Sequence, residues 1–193
     1  MYKRVKVNKG APGIDGMTVE EALAHLKEHQ QELTDRIYKG KYTPSSVRRV
    51  EIPKVGGDVR KLGIPTVIDR TLQQAIAQQL VPIYEPMFTD GCFGYRPNRS
   101  AKEAILKVKE YAEQGFTFAA ALDLSKYFDT LNHEIFINLL QKNVKDERAV
   151  QLIKRYLKRG VMENGVVIET DDGSSQGGNL SPLLANIYLN KFD

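Results

Sequence analysis

The stretch Phe116 to Asn132, FTFAAALDLSKYFDTLN, decides the fold and the chemistry that we expect of this chain. It begins with apolar, β-prone residues and places a carboxylate, Asp123, where the apolar run ends. A lysine, a Tyr-Phe pair and a second acid, Asp129, follow within six positions. An apolar strand that ends in an acid holds that acid rigidly, as a bound metal ion requires. The stretch therefore predicts a strand with a metal-binding aspartate at its end.

Each of these side chains also has an ordinary structural interpretation. An isolated aspartate such as Asp123 is more often a helix cap or one half of an ion pair. Asp129 fits a cap or a surface acid, and Phe128 alone fits a core position. The other segments of the chain decide between these interpretations and a catalytic one.

Composition excludes several classes of protein. The chain has 193 residues, of which 41% are hydrophobic, enough for one domain or two small lobes with a true core. It has neither an apolar run long enough to span a bilayer nor the apolar segment of a signal peptide at its N-terminus. A single cysteine, Cys92, excludes an internal disulfide framework, and three widely spaced histidines give no zinc signature. We expect a protein of a reducing cytoplasm, without a membrane association.

The charge distribution is compatible with a nucleic-acid partner. The formal net charge is +4, and the isoelectric point is about 9.0. Basic residues gather in segments 3–9, 48–61, 96–109 and 154–159. Such patches suit a phosphate backbone but do not establish one, because solvated surfaces also carry them.

The N-terminal third predicts a loop, a helix and a hairpin. Residues 8–17, NKGAPGIDGM, form turns and lack the Gly-Lys-Ser/Thr of a phosphate-binding loop. Thr18 and Glu21 form a capping box for a helix that ends near Gly40. Residues 47–53 and 59–64 predict a β-hairpin, which is either a solubilised ribbon or a flap that grips phosphates through its cations, Arg48, Arg49, Lys54, Arg60 and Lys61.

The middle third predicts two helices and a loop. A helix from Thr66 is expected to end where Pro82 and Pro86 interrupt it, with its glutamines (Gln73, Gln74, Gln78 and Gln79) facing solvent. The loop 91–100, GCFGYRPNRS, precedes a helix capped by Ser100. Its arginines and aromatics suit phosphates and bases, and they suit a purely structural loop as well.

The last third predicts two helices, a second hairpin and a final helix. Asn132 and Asp146 are expected N-caps, and Asn164-Gly165 is a strong hairpin signal. The loop Gln176-Gly177-Gly178 exposes backbone to another molecule, and Ser181-Pro182 starts a helix. The element order predicts an α+β fold with a small antiparallel sheet and packed helices.

Five segments in order resemble the reverse transcriptases encoded by bacterial group II introns, which also act as maturases. The segments are NKGAPGIDGM, RRVEIPKVGGDVRKLGIPTVIDRTLQQAI, FGYRPNRSAKEAI, ALDLSKYFDTLNH and SSQGGNLSPLLANIYLNKFD. The resemblance implies a right-hand polymerase fold. Residues 1–115 would be the fingers with an N-terminal extension motif, and residues 116–193 part of the palm.

The resemblance also implies roles for individual residues. Asp123 corresponds to the first catalytic, metal-binding aspartate, and Leu124 offers its backbone carbonyl to the metal. Phe128 matches the bulky residue that excludes a 2′-OH. The nucleotide-binding set would be Lys54, Arg60, Lys61, Phe128, Gln176 and Gly177. The residues on the RNA or template path would be Arg48, Arg49, Arg96, Asn98 and Arg99.

The family's chemistry implies further partners. Two Mg²⁺ ions, dNTPs, an RNA template with a DNA primer and the parent intron RNA would all bind. The alternatives are an RNA-binding maturase scaffold without polymerase activity, or a related bacterial enzyme of a diversity-generating or CRISPR-linked element.

Two departures from the family pattern matter. Ser175 stands where the family usually has proline, which leaves that loop less restricted. The family's Tyr-x-Asp-Asp motif does not occur, since the acid pair Asp171-Asp172 follows Glu169 rather than a tyrosine at the required position. We therefore expect a truncated palm that does not polymerise alone. We also expect an exposed apolar side of the last helix, around Leu184, Ile187 and Tyr188, that could support a homodimer.

Overall fold

The computed structural model confirms the α+β fold, and it describes residues 1–53, 56–57, 59–124, 127, 130–163, 166–168 and 177–190. The helices in these ranges are α1 (Tyr2–Val7), α2 (Val19–Glu28), α3 (Gln30–Tyr38), α4 (Val67–Tyr84), α5 (Ala101–Glu113), α6 (His133–Asn143), α7 (Glu147–Lys158) and α8 (Ser181–Leu189). The strands are β1 (Val47–Pro53), β2 (Val59–Ile64), β3 (Val161–Glu163) and β4 (Val166–Ile168).

The four strands form one sheet in the order β2-β1-β3-β4. The predicted hairpin is present, with Arg48 opposite Ile64 and Pro53 opposite Val59. The second hairpin, β3 with β4, is antiparallel as well. One pair differs from the expected antiparallel sheet: β1 and β3 run parallel, with Val47 opposite Val161. The sheet thus joins segments that are more than a hundred residues apart in the chain.

Helix α4 is the central helix of the fold. Its N-cap is Thr66, whose side chain accepts a hydrogen bond from the Asp69 amide. The predicted break at Pro82 was wrong, because α4 continues through Pro82 to Tyr84 and stops before Pro86. Leu80 and Tyr84 are buried on either side of the proline, and their packing holds the last turn although Pro82 cannot donate a backbone hydrogen bond.

The main core lies between α4, α6, α7 and α8. Phe136 and Leu140 from α6 and Ile153 from α7 are fully buried there. The other core positions include Ala77, Leu80, Tyr84, Leu131, Val150, Leu157, Leu183, Leu184 and Ile187. Side chains on both sides of residue 115 share this core, while the division into fingers at 1–115 and palm at 116–193 stays a prediction.

The apolar side of α8 is buried, so the expectation that it would be exposed was wrong. Leu184 and Ile187 lie in the main core, and Tyr188 packs against it. The tyrosine ring contacts Phe136 at a centroid distance of 6.4 Å. Helix α6 supplies the cover for α8, which the sequence pattern of α8 alone could not show.

A dense group of exposed apolar side chains lies instead on α5 and on residues 116–124. We call this the α5 apolar surface; it comprises Ile105, Leu106, Val108, Tyr111, Phe116, Phe118, Leu122 and Leu124. Phe118 is 98% exposed, and no residue of α5 is buried. The strand expected from Phe116 to Asp123 is absent, since residues 116–124 pair with none of the described strands. An isolated β-prone segment has no partner for its N–H and C=O groups and stays irregular.

Candidate active site

The position of Asp123 is an exposed irregular segment that follows α5. Within the described ranges, no hydrogen bond or ion pair joins Asp123 to another side chain, and no group of three acids, histidines or cysteines is close enough to hold a metal ion. Asp123 and the exposed Leu124 are thus placed together, but they do not make a two-metal site. The predicted sugar gate, Phe128, lies outside the described residues.

The cations of the β1–β2 hairpin are divided between its two faces. Residues directly opposite each other in an antiparallel pair share a face, and neighbours along a strand alternate. Arg48 therefore lies on the same face as Arg60, which is opposite Ile52 in the register. Arg49 and Lys61 lie on the other face, where the Lys61 ammonium is 4.0 Å from the Glu51 carboxylate. Lys54 lies outside the described residues.

The glycine loop before α8 packs directly on this hairpin. Gly177 has a φ of +116°, a conformation that L side chains rarely adopt. A Cβ added at Gly177 would be 2.7 Å from the carbonyl oxygen of Gly63 in β2. The predicted hairpin and the predicted glycine loop are thus adjacent, and Gly177 permits the contact. The neighbouring Gln176 lies outside the described residues.

Two glutamines of α4 hold the same loop from the other side, although the sequence predicted solvent-facing glutamines. Gln73 is only 1% exposed, and its Oε1 accepts a hydrogen bond of 3.4 Å from the Leu180 amide. Gln74 Oε1 accepts one of 3.4 Å from Asn179 Nδ2. The prediction was wrong for Gln73 because α8 and its loop, which cover α4 here, are distant in sequence.

A buried carboxylate, Asp69, lies one turn before Gln73. It accepts hydrogen bonds from the Tyr42 hydroxyl at 2.7 Å and the Tyr156 hydroxyl at 3.1 Å. It also accepts from the Ser45 amide at 3.1 Å and from Thr66 Oγ1 at 2.9 Å. Four donors compensate for the removal of a charged group from water. Sequence analysis did not find this cluster, since its members come from three separate segments, residues 42–45, 66–69 and 156.

The surroundings of Asp69 shift the pKa values of its neighbours. Burial raises the pKa of the Tyr42 hydroxyl and of the Tyr156 hydroxyl, and the negative charge of Asp69 raises both pKa values further. Burial lowers the pKa of the Arg159 guanidinium, against the attraction of Asp69. Arg159 also lies at the glycine loop, since a Cβ at Gly178 would be 3.2 Å from its Nη2. The cluster thus connects the start of α4 with the loop.

The loop 91–100 is closed by its own arginines. Arg96, whose side chain is 6% exposed, donates two hydrogen bonds to Glu85 Oε1, at 2.9 and 3.1 Å, and others to the carbonyls of Thr89 and Cys92. The hydrogen bond to Glu85 raises the pKa of Arg96. Arg99 donates to Asp90 at 3.2 Å. These contacts favour the structural interpretation of Arg96, and its template contact stays a prediction.

The tip of the same loop is exposed. Asn98 and Tyr95 are exposed and have positive φ values, +57° and +53°. Both residues can contact a large partner without any rearrangement of the core. Helix α8 fixes the base of the loop, because Asn186 Nδ2 donates to the Gly94 carbonyl at 2.7 Å.

The N-terminal loop 8–17 docks on the start of α4. Arg70, which is buried, donates from Nη2 to the Ala11 carbonyl at 2.8 Å. A Cβ at Gly13 would be 2.6 Å from Thr66 Cα. The capping box of Thr18 and Glu21 then starts α2 as predicted. Gly13 therefore serves close backbone packing of the loop on the start of α4.

Comparison with known proteins now decides the family. The family described as reverse transcriptase (RNA-dependent DNA polymerase) matches residues 52–193. The chain belongs to the reverse transcriptase family. The match includes the end of β1, all of β2 and α4, the segment of Asp123 and the glycine loop. The first of the five resembling segments, residues 8–17, lies before the matched range.

Two bacterial proteins are similar in sequence to almost the whole chain. It is 38% identical over 192 residues to protein YkfC of Escherichia coli strain K12, covering 96% of this chain and 50% of YkfC. It is 37% identical over 193 residues to the group II intron-encoded protein LtrA of Lactococcus lactis subsp. cremoris, covering 100% of this chain and 32% of LtrA. The chain thus spans half or less of these relatives' lengths.

A solved structure shares the fold. A chain of a partial Cas6-RT-Cas1–Cas2 complex superposes with a TM-score of 0.62 and 23% identity, covering 100% of this chain and 32% of that one. At this identity the likeness supports the fold alone. Among the described residues, no helix is long and apolar enough to cross a membrane.

Proposed function

We propose that the natural protein carrying this chain is the RNA-directed DNA polymerase of a bacterial group II intron, and that it also acts as a maturase that binds its intron RNA. The single observation that carries this proposal is the family match over residues 52–193, together with 37% identity to an intron-encoded protein along the whole chain. Its partners would be dNTPs, an RNA template with a DNA primer, and intron RNA. We place it in the bacterial cytoplasm.

The geometry supports a nucleotide site between the hairpin and the glycine loop. Arg60 and Lys61 are exposed cations on opposite faces of β2. One face of the hairpin is thus available to a triphosphate, and the opposite face to a nucleic-acid strand. Gly177 packs directly on the Gly63 carbonyl, which holds the glycine loop beside these cations. Lys54, Phe128 and Gln176 complete the proposed nucleotide-binding set.

Asp123 is the proposed first ligand of a divalent-metal site, with Mg²⁺ as the ion. Bound ions of this kind stabilise the charge of the attacking and leaving oxygens in phosphoryl transfer. The described residues supply one carboxylate near Leu124 and no second or third acid.

The proposed template path includes the exposed Asn98 and the arginines Arg48, Arg49, Arg96 and Arg99. Asn98 is at an exposed loop tip and Arg48 is exposed in β1, so both are accessible to a strand. Arg96 would have to release Glu85 in order to contact RNA. We therefore rank Arg48 and Asn98 ahead of Arg96 among these contacts.

Primer extension on an RNA template tests the polymerase proposal. The natural full-length protein with Mg²⁺ and dNTPs should extend the primer, and Asp123→Asn should abolish extension. A matched control, Asp35→Asn, removes an acid whose described partner is Gln31 on the same helix, and it should retain activity. Equal extension by the Asp123→Asn variant and the wild type would refute the assignment of Asp123.

The second candidate is an RNA-binding scaffold without polymerase activity, which the basic segments favour. Its test is the salt dependence of intron RNA binding by the 193-residue chain. Binding through phosphates predicts a log-log slope of roughly −0.7 to −0.9 per contact. A slope near zero would exclude phosphate contacts and with them this candidate.

A further inference from the structure

Gln73 of α4 is a buried amide beside the glycine loop, and its N–H donor is unused among the described residues. Gln73 is among the largest fully buried side chains, and its Nε2 has no hydrogen-bond acceptor among the described residues. An unsatisfied buried donor is unfavourable, and an apolar side chain of similar volume would avoid the penalty. The position nevertheless carries glutamine, which indicates that its polar atoms are used.

The carbonyl end of Gln73 is already engaged with the glycine loop. Oε1 accepts from the Leu180 amide at 3.4 Å, and Leu180 is the N-cap of α8. The same oxygen would be 2.7 Å from a Cβ at Gly178. Gln73 thus lies against the loop at positions 178 and 180, and a side chain at position 178 would require the Gln73 amide to shift.

The loop is confined between α4 and β2. On one side are Gln73 and Arg159, and on the other the carbonyl of Gly63 faces Gly177. The hydrogen bonds to Leu180 and Asn179, both 3.4 Å, are longer than the usual 2.9–3.0 Å for N–H···O bonds. Both bonds would shorten if the loop moved slightly toward α4, where the Nε2 donor of Gln73 has no acceptor among the described residues.

We propose that Gln73 is a positioning residue for the glycine loop 177–180. In this state its Oε1 orients the Leu180 amide. When a nucleotide binds, the loop moves toward α4 and Nε2 donates to one of the backbone carbonyls of residues 177–179. The part concerning the nucleotide rests on the proposed polymerase function, whereas the orientation of Leu180 does not.

Amide hydrogen exchange of the 193-residue chain, read by NMR, tests the orientation of Leu180. Gln73→Met removes both polar atoms in an isosteric side chain and should speed exchange at Leu180 about tenfold or more. Gln79→Met makes the same substitution at an exposed site on the same helix and should change nothing. Unchanged exchange at Leu180 in Gln73→Met, or an equal increase at the core amide of Leu140, would overturn the positioning role.

Gln73→Glu separates the two polar atoms. It keeps an acceptor for Leu180 and removes the donor, so Leu180 should remain protected. In primer extension by the natural full-length protein, Gln73→Met and Gln73→Glu should both raise KM for dNTP about tenfold with little change in kcat. Wild-type KM in both variants would overturn the role of Nε2. Failure of the wild-type protein to extend a primer would refute the polymerase proposal instead, and exchange at Leu180 would still decide the orientation of the loop.

Discussion

Substitution of Gly13 by alanine probes how closely the N-terminal loop packs on α4. An added Cβ would be 2.6 Å from Thr66 Cα, 2.7 Å from Thr66 N and 2.9 Å from Pro65 C. All three are backbone atoms, so no side chain can swing away. Because ordinary van der Waals contact starts at 3.4 Å, the loop must retreat by roughly 0.8 Å, which weakens its other contacts with α4.

The expected cost follows from two opposing effects. Overpacking of this kind destabilises by about 1–3 kcal/mol. Replacement of glycine by alanine restricts the unfolded chain and returns about 0.4–1 kcal/mol. We therefore expect Gly13→Ala to lower the free energy of unfolding by up to about 2.6 kcal/mol.

Gly91→Ala is the matched control. No atom lies within 4 Å of a Cβ at Gly91, and its φ is not positive, so the entropic gain should appear alone. Urea unfolding followed by circular dichroism at 222 nm measures both variants. Equal midpoints for Gly13→Ala and Gly91→Ala, at equal m-values, would refute the close packing of the loop on α4.

Three further predictions concern charge and exposed surface. Burial and Asp69 raise the pKa of Tyr156 above the ordinary value of 10.0, so the unfolded state alone releases this proton above that pH. The contribution of this hydroxyl to the free energy of unfolding is then fully present below that pH, and above it falls by about 1.4 kcal/mol per pH unit. Tyr156→Phe should reduce the slope of the unfolding free energy against pH by that amount in the same range. An unchanged slope would contradict the prediction. Arg96→Met should cost about 1–3 kcal/mol in urea unfolding, since it leaves several part-buried acceptors without a donor. Arg99→Met, at an exposed pair, should cost under about 1 kcal/mol. Phe118→Asp should lower the self-association of the 193-residue chain, measured by sedimentation velocity. Val7→Asp, at another exposed position, is the control. Equal association of the two variants would show that the α5 apolar surface does not cause self-association.

Local signals in the sequence predicted the elements that depend on neighbouring residues. The capping box of Thr18 and Glu21 and the cap of Ser100 form as expected, because each joins residues three positions apart. The β1–β2 hairpin likewise needs only a short turn. The motif order predicted the family, which the match over residues 52–193 confirms.

Contacts between distant segments were not predictable in the same way. Gln73 was predicted to face solvent, because the sequence of α4 carries no signal that residues 177–180 cover this position. The four donors to Asp69 come from segments up to 87 residues away, and no periodicity connects them. The prediction of a strand at Phe116 was wrong because the local pattern is β-prone but a strand needs a partner. The described residues provide no neighbouring strand there.

The parallel pairing of β1 with β3 has a consequence for the order of folding. The hairpin β1–β2 is local and can form within microseconds, whereas Val47 and Val161 can pair only after a loop of more than a hundred residues has closed. The helices α4, α6 and α7 lie within that loop, and their mutual packing brings its ends together. The sheet is thus expected to be completed late, on a helical core that is already assembled. During synthesis on the ribosome, the β1–β2 hairpin would emerge before β3. The free edge of β1 would then stay unpaired until the residues of β3 are synthesised.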